Sequence, residues 1–484
     1  MENILKRNIL YVLLCLGIGV LLMVSSNIVV FLLIGVGFLM FALEFIKLLP
    51  WIVDRNNFSC SWNTEKPMVS VHLAICNEPP EMVIRTIRGI LKQDYGHFEI
   101  IVVDNNTKDE NLWKPIESFC RRFGNIRFFH LHHWPFYKSG ALNFARKVTS
   151  KNAEHIFVID ADYYLEKGAL SMAVKNVVGR SIALVQFPQA YSVDNLSLTP
   201  ILKEFDHFFN FYCLKADSCY GALATGTLSL IRLEALDEIG GWPTSSITED
   251  AELGSRLQSA GHDIKYVHRI IGRGVIPISQ YDFIKQRKRW IFGNVQTLLR
   301  YSTNPIRNFR KWSSGISQLT AWINLMGIPI LCIATCVLFY PLIEMKVFLM
   351  TVQISYIAYW IFVLSKIFQY TISEKGTMGD SASTFLISLS TLGIGAFHWW
   401  PVLCGNEQAF ERTDKSNRQS DYRANLFYPL LNFLATMAGI VYGSPFIMAS
   451  GFIFFCLHLA AVWRDCSLRT TKGSNIIYDV KLHL

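Results

Sequence analysis

The sequence predicts an α/β domain inserted in an α-helical membrane bundle of about six transmembrane helices. The 484 residues are 51% hydrophobic with a mean hydropathy of +0.28, too apolar for an ordinary soluble protein. The longest apolar runs gather at the two ends of the chain. Between them, residues 66–300 alternate β-branched runs with amphipathic helical stretches, the pattern of a mostly parallel sheet covered by helices. The 46 Lys and Arg against 37 Asp and Glu give a net charge of +9. No basic stripe with interleaved aromatics argues for nucleic acid, so anionic membrane lipid and positive-inside topology account for the excess. Eleven cysteines lie scattered without a Cys-x-x-Cys pair, which speaks against a zinc cluster.

Lys6 and Arg7 precede a first apolar run at residues 9–24, and only Ser25, Ser26 and Asn27 separate it from a second at residues 28–49. Together they read as a transmembrane hairpin within residues 1–50 rather than a cleavable signal. Basic residues mark the cytoplasmic face, so the N-terminus and the domain after Pro50 are expected inside. In that domain strands are expected at 68–75, 98–104, 126–131, 155–160 and 182–187, with helices at 81–93, 112–123, 140–148 and 168–178 between them. Residues 301–382 are expected to hold an interfacial helix and two spans, at 318–340 and 347–368. Two more spans are expected within 423–463, at 426–442 and 445–463. Residues 383–404 are apolar enough to cross, yet carry several Ser and Gly and end in His398, Trp399, Trp400 and Pro401. If they crossed, Arg464, Arg469, Lys472 and Lys481 of the tail at 464–484 would face outward. They are therefore expected to lie in the interface, within the segment 383–422. Six spans result, in the inner (plasma) membrane, with both termini cytosolic.

Residues 155–162 form an apolar run that ends in Asp160 and Asp162. Ligands of α/β sheets collect at the carboxyl ends of strands, and two acids one residue apart suit a hard cation that keeps the phosphates of a nucleotide. Asp is also common wherever a strand turns into a loop. The same crevice should receive Asn77 and Glu78 after the first strand and Asp104 at the end of the second. There Asp104 can accept from a nucleobase imide, or serve as a turn residue. Lys138 precedes a helix, where a cation and free backbone donors can meet phosphate, unless it is an ordinary surface lysine. Glu249 and Asp250 lie just ahead of the helix 251–260; Ser246 with Glu249 fits a capping box, while Asp250 suits a general base if an acceptor hydroxyl is near. Gln286, Arg289 and Trp290 stand at i, i+3 and i+4 and share a helix face, with Arg287 and Lys288 directed elsewhere. A guanidinium suits a diphosphate and an indole the apolar face of a sugar, although a helix on a membrane surface carries similar charges.

In order and context, Asp104, Asp160-Ala161-Asp162, Thr248-Glu249-Asp250 and Gln286-Arg287-Lys288-Arg289-Trp290 resemble the D, D-x-D, T-E-D and Q-x-x-R-W motifs of processive membrane-embedded family 2 glycosyltransferases, such as cellulose, curdlan, chitin and hyaluronan synthases. Phe410, Thr413 and Lys415 look like the F-x-x-T-x-K gating loop of cellulose synthases. The resemblance implies a glycosyltransferase A-type, Rossmann-like catalytic domain. It gives Asp104 to uracil, Lys138 to the diphosphate, and Asp160 and Asp162 to the nucleotide and a Mg²⁺ or Mn²⁺ ion. Asp250 becomes the base, Arg289 holds the leaving diphosphate and Trp290 the acceptor sugar. Thr225, Gly226 and Thr227 align with the segment lining the acceptor site, Thr413 and Lys415 would close over the nucleotide, and Asn77, Glu78, Glu249 and Gln286 complete the substrate-binding set.

The implied reaction is an inverting displacement that turns an α-linked UDP-sugar into a β-linked polymer. The bundle would pass that polymer outward, with Trp322, Asn324, Tyr356, Tyr359 and Asn432 as candidate lining residues. Three departures point away from cellulose itself: Asn105 and Asn106 where cellulose synthases often carry paired acids, Thr225 for their usual Cys, and about twenty residues after Trp463 in place of a cyclic-dinucleotide-binding barrel. They favour a curdlan-type or mixed-linkage β-glucan synthase, with UDP-glucose as donor. Chitin- or hyaluronan-like synthesis, transfer to a lipid, and a transporter with a regulatory nucleotide domain remain alternatives.

Overall fold

The computed structural model describes residues 2–53, 66–177, 179, 181–192, 199–275, 280–301, 308–373, 378–405 and 425–470. Its α/β domain contains strands β1 (Met68–Ile75), β2 (Phe98–Asn105), β3 (Ile126–Leu131), β4 (Ala153–Val158), β5 (Tyr164–Leu165), β6 (Ile182–Gln186), β7 (Ala190–Ser192), β8 (Ser229–Arg232), β9 (Asp263–Tyr266) and β10 (Gly272–Val275). Seven of them form one sheet in the order β3-β2-β1-β4-β8-β6-β9, and a small second sheet joins β5, β10 and β7. The large sheet is parallel except for β8, which pairs antiparallel with both β4 and β6. This is the mixed, mostly parallel α/β sheet that the alternation predicts.

Apolar runs without alternation mark strands buried on both faces. Val69, Val71 and Leu73 of β1 and Ile100, Ile101, Val102 and Val103 of β2 are fully or almost fully buried. Between the strands lie helices Pro80–Leu91, with Pro in its first turn, and Glu110–Cys120, capped by Asp109 accepting from Asn111 N. The register pairs Ile75 with Asp104 and Asp104 with His130, so β1, β2 and β3 end level with one another. The fourth strand begins and ends two residues earlier than expected. Asp160 therefore stands beyond it, in a turn where Tyr163 N donates to Asp160 O (3.2 Å).

Among the described residues, Ser26–Trp51, Met345–Ser373 and Pro445–Cys466 are long and apolar enough to cross a membrane, while Val12–Val24, Gly327–Leu338 and Phe427–Val441 are shorter. The stretch 318–340, expected as a span, is not one continuous helix. Helix Phe309–Leu319 ends, residues 320–326 leave helical geometry, and Gly327–Leu338 resumes it. Pro329 is one cause, since it has no N–H to offer the carbonyl of Leu325. The other cause is a neighbour that satisfies the unwound backbone. Asn324 N donates to Gly395 O (3.0 Å), Asn324 Nδ2 to Leu392 O (3.2 Å), and Trp399 Nε1 to Asn324 O (3.2 Å). A Cβ on Gly395 would stand 2.6 Å from Trp322 O, so the approach requires glycine. Irregular backbone is tolerated at such depth where protein meets its polar groups. The helix expected at 383–404 is itself bent by 49°, between Ser381–Ser390 and Leu392–Leu403.

Three of the residues expected along a passage lie deep among the helices. Tyr356, Tyr359 and Asn432 are buried in the bundle core. Tyr356 Oη donates to Asn432 Oδ1 (3.1 Å), and the Tyr359 ring stacks on Phe454 at 4.1 Å. Phe410, Thr413 and Lys415 lie outside the described residues.

Candidate active site

The crevice is built where β1, β2 and β4 end. Asp104, at the end of β2, is almost wholly buried; it accepts from Thr107 Oγ1 at Oδ1 (2.5 Å), and its Oδ2 meets His130 Nδ1 (2.5 Å). Asn77 N donates to Thr107 Oγ1 (2.8 Å), so one hydroxyl latches the loop after β1 to the loop after β2. Burial pushes the Asp104 carboxyl up, against these hydrogen bonds. Asp104 thus braces the floor of the crevice, and His130, which also stacks on Trp113 at 4.1 Å, is a neighbour the sequence reading missed. Its signal was the β2–β3 register, which no motif carries. Asn77 is exposed in a left-handed conformation (φ 51°), and Glu78 and Asp162 are half-buried.

Lys138 is the hub. It lies in the first turn of helix Tyr137–Val148, entered through left-handed residues Phe136 and Tyr137. Its Nζ donates to Asp160 Oδ1 (2.5 Å) and Gly226 O (2.7 Å), and lies 3.9 Å from Glu249 Oε1. Burial opposes its charge, yet the carboxylates of Asp160, Glu249 and Asp250 hold the ammonium above its usual value. One side chain thereby joins the Asp160 turn, the Thr225-Gly226-Thr227 segment and the helix Glu249–Ser259. Asp160 N also donates to Thr227 Oγ1 (3.0 Å). Gln186 threads the segment from below, accepting from Thr225 N (3.0 Å) and donating to Thr227 O (2.9 Å). A polar residue ending an otherwise apolar strand was the available hint for Gln186.

The expected capping box does not form. Thr248 makes no side-chain cap; Ser246 Oγ accepts from Thr248 N (3.2 Å) rather than from Glu249 N and donates to Gly293 O (3.1 Å), while Glu249 faces Lys138. Gly293 permits this: a Cβ there would lie 2.8 Å from Thr248 N, so helix Gln280–Tyr301 passes directly over the first turn of helix Glu249–Ser259. Asp250 accepts from Ala251 N at Oδ1 (2.9 Å), and its Oδ2 would lie 2.8 Å from a Cβ on Gly226, which sits at φ +84°. Burial, then the adjacent Glu249 carboxylate, raises Asp250 to about 7 against the pull of Lys138. Burial lowers Arg289, and the carboxylates of Glu249, Asp250 and Asp160 oppose that shift. Asp250, Thr225, Trp290, Gln189, Asn294 and Trp322 wall a single cavity.

Arg287 departs from the sequence reading. Rather than pointing away, it is buried, ion-paired with Glu204, and set over the rings of Phe205, Phe283, Trp290 and Trp322 at 4.6–4.9 Å. It lies at i−3 from Trp290 and so flanks the same face. Helix Thr199–His207, which supplies Glu204 and Phe205, covers that flank. Gln286 Oε1 is buried without a hydrogen-bond partner among the described residues.

Among the described residues no cluster of three or more His, Cys, Asp or Glu side chains offers a complete metal cage. The donor set still fits a divalent ion. Among the described residues, the carboxylates of Asp160, Glu249 and Asp250 gather around the two cations Lys138 and Arg289, a local surplus of negative charge. Ions such as Mg²⁺ commonly take one or two carboxylates and complete their shell with water and substrate phosphates.

Residues 155–371 match the model of glycosyl transferase family group 2. The cellulose synthase catalytic subunit of Pseudomonas fluorescens is 28% identical over 298 residues, 59% of this chain and 39% of that protein. Cellulose synthase 1 of Komagataeibacter xylinus is 28% identical over 48% of this chain and 31% of its own length. The chain therefore covers less than half of these relatives. Poly-beta-1,6-N-acetyl-D-glucosamine synthase of Staphylococcus epidermidis is 27% identical over 53% of this chain and 61% of that enzyme. A mannosyltransferase of Pyrobaculum calidifontis, solved with GDP-mannose and Mn²⁺, superposes on 93% of this chain and 99% of its own with a TM-score of 0.48 and 15% identity.

Proposed function

We propose, from the premise that this chain carries a family 2 glycosyltransferase domain homologous to those of cellulose and poly-N-acetylglucosamine synthases, that it is a processive, inverting β-glycosyltransferase of a membrane. It takes a UDP-sugar on the cytosolic side, adds the sugar to a growing polysaccharide and passes the product across the bundle. The observation that carries this reading is the convergence of Lys138, Asp160, Glu249, Asp250 and Arg289 beside Trp290, from four separate stretches of chain.

Asp250 removes the proton from the acceptor hydroxyl. A base held near pH 7 is ionised often enough to act and basic enough to take the proton. Lys138 and Arg289 neutralise the diphosphate as its bond to the anomeric carbon breaks, in a buried setting where their charge is poorly screened. Trp290 and the Thr225-Gly226-Thr227 segment hold the acceptor, so that attack comes from the face opposite the leaving group and an α-linked donor gives a β-linked product. Asp160 and Asp162 would hold Mg²⁺ or Mn²⁺, which supplies further charge neutralisation on the diphosphate when bound. Thr413 and Lys415 would close the nucleotide side.

Glucose is the preferred sugar, in curdlan-type β-1,3 or mixed linkage. Supplying membranes with UDP-glucose, UDP-N-acetylglucosamine and UDP-glucuronate separately tests this: incorporation of glucose into alkali-soluble β-glucan is expected. Incorporation of the amino sugar alone would move the chain beside the poly-N-acetylglucosamine synthases. A lipid-soluble product of fixed length would replace the polymerase by a lipid glycosyltransferase.

A further inference from the structure

On the far side of Trp322 from Asp250 lies a second cavity. Glu204, His207, Arg287, Trp322, Asn324 and Lys366 contribute to its wall. Trp322 is the partition: it also walls the Asp250 cavity, and its ring meets that of Trp290 at 4.9 Å. The elements around this space are helices Thr199–His207, Gln280–Tyr301 and Met345–Ser373, with the unwound stretch 320–326.

Its electrostatics are opposite in sign to those of the catalytic crevice. Arg287 is paired with Glu204. Lys47 takes Glu44 at 2.6 Å, and Glu44 spends its other oxygen on Ser365 (2.8 Å) and Gln369 (2.9 Å). Lys366 donates to the neutral acceptors Gln369 Oε1 (3.1 Å) and Ala321 O (3.5 Å), with the Glu44 carboxylate near enough to act on it through space. In the cavity wall, among the described residues, the two cations Arg287 and Lys366 stand against the one carboxylate of Glu204. Two further groups in the wall are incompletely used: His207 Nε2, and Nε and Nη1 of Arg287, are buried without hydrogen-bond partners among the described residues. His207 and Arg287 are both more than nine-tenths buried. A buried surplus cation beside open polar groups is costly, and the cost is relieved either by loss of its proton or by an anion that arrives to pair with it.

We propose that this cavity is a subsite for an anionic group, a phosphate or carboxylate borne by the acceptor, with Lys366 as its counter-ion and His207 and Arg287 beside it. The acceptor that starts a chain then carries a charge one step beyond the ring that meets Trp290, before uncharged glucose units follow it. Two sources share this chemistry, the phosphate of a lipid carrier and an acidic substituent on the saccharide. The inference rests on the transferase reading for the word acceptor, but the anion site itself can be tested by binding.

The full-length protein in an uncharged maltoside detergent is titrated with dodecyl phosphate, with a glucuronate-containing disaccharide, and with the uncharged glucose disaccharide of the same linkage. At least one anionic probe should bind about tenfold or more tightly than the uncharged one, and Lys366→Met should abolish that preference while leaving UDP binding unchanged. Preference for dodecyl phosphate assigns the anion to a lipid carrier, and preference for the glucuronate assigns it to the saccharide. Equal binding of all three probes by the wild type overturns the proposal whether or not the variant folds, as does a preference that survives Lys366→Met. An intact anion preference in a protein that transfers no sugar from any UDP-sugar would instead sink the transferase reading.

Discussion

Two cavities meet at Trp322, and they solve the problem of buried charge in opposite ways. Among the described residues, carboxylates outnumber cations on the Asp250 side, and cations outnumber carboxylates in the wall on the Lys366 side. A purely structural network tends toward balance, because an unpaired buried charge costs several kcal/mol. Surplus of one sign is tolerable where a ligand of the other sign completes it. The carboxylate-rich side is suited to a divalent ion and its diphosphate, the cation-rich side to an anion on the acceptor. The Arg287–Glu204 pair sits between them under four aromatic rings, with Nε and Nη1 of Arg287 left over.

The sharpest way to break this contrast is at Asp250. Asp250→Asn should lower kcat for sugar transfer about 10²–10⁴-fold while changing UDP affinity less than about threefold, measured by steady-state transfer and by UDP titration. In the wild type, transfer should fall as pH drops below about 7, where Asp250 becomes protonated. Stability runs the other way. A carboxyl raised on folding stabilises while protonated and loses that contribution as pH rises from the ordinary carboxylate range through about 7. Asp250→Asn should therefore gain thermal stability over the wild type at pH 8 and little at pH 4; an equal gain at both pH values would remove Asp250 from this role.

Next in size is the pair between the cavities. Arg287→Met alone strands Glu204 and should cost about 3–5 kcal/mol in denaturant unfolding, whereas Arg287→Met with Glu204→Leu should recover most of it. Recovery would mark the pair as structural and distinguish it from Arg289. Gly226→Ala should cost less, about 1–2 kcal/mol from its left-handed backbone. It should nonetheless slow transfer, because the new methyl presses on Asp250 Oδ2; equal activity of glycine and alanine would show that the acceptor segment has slack. The smallest effect belongs to the bundle. Tyr356→Phe should cost about 1–2 kcal/mol through Asn432 and leave transfer unchanged, since this hydroxyl is spent on packing. A changed product length would return Tyr356 to the passage.

Much of the sheet was legible because an apolar run without alternation has few destinations other than a strand buried on both faces. Its polar punctuation was legible too: Asp104, Asp160 and Lys138 stand at strand ends and a helix start, positions that local chemistry marks. What stayed hidden was every partner contributed from far along the chain. His130, Gln186, Glu204 and Arg287 belong to no local pattern, and they reach the site only through strand register, a neighbouring strand or a covering helix. The bland reading of Ser246 and Glu249 failed for the same reason, since Lys138 meets Glu249 from across the fold. The break within 318–340 was not legible because hydropathy sums side chains and ignores Pro329 and the hydrogen bonds that Asn324 finds on residues 392–395.

By itself the sequence determined five of the strands and the helices between the first of them, the apolar ends, and which residue types stand at those strand ends, since these follow from periodicity and local backbone preference; the short strands β5, β7, β8, β9 and β10 were not anticipated. Only the tertiary structure decided which charges face one another. Lys138 could have been a surface lysine and Arg287 a solvated one; their roles follow from folding that brings distant carboxylates and rings within a few ångströms, in surroundings where water no longer screens them.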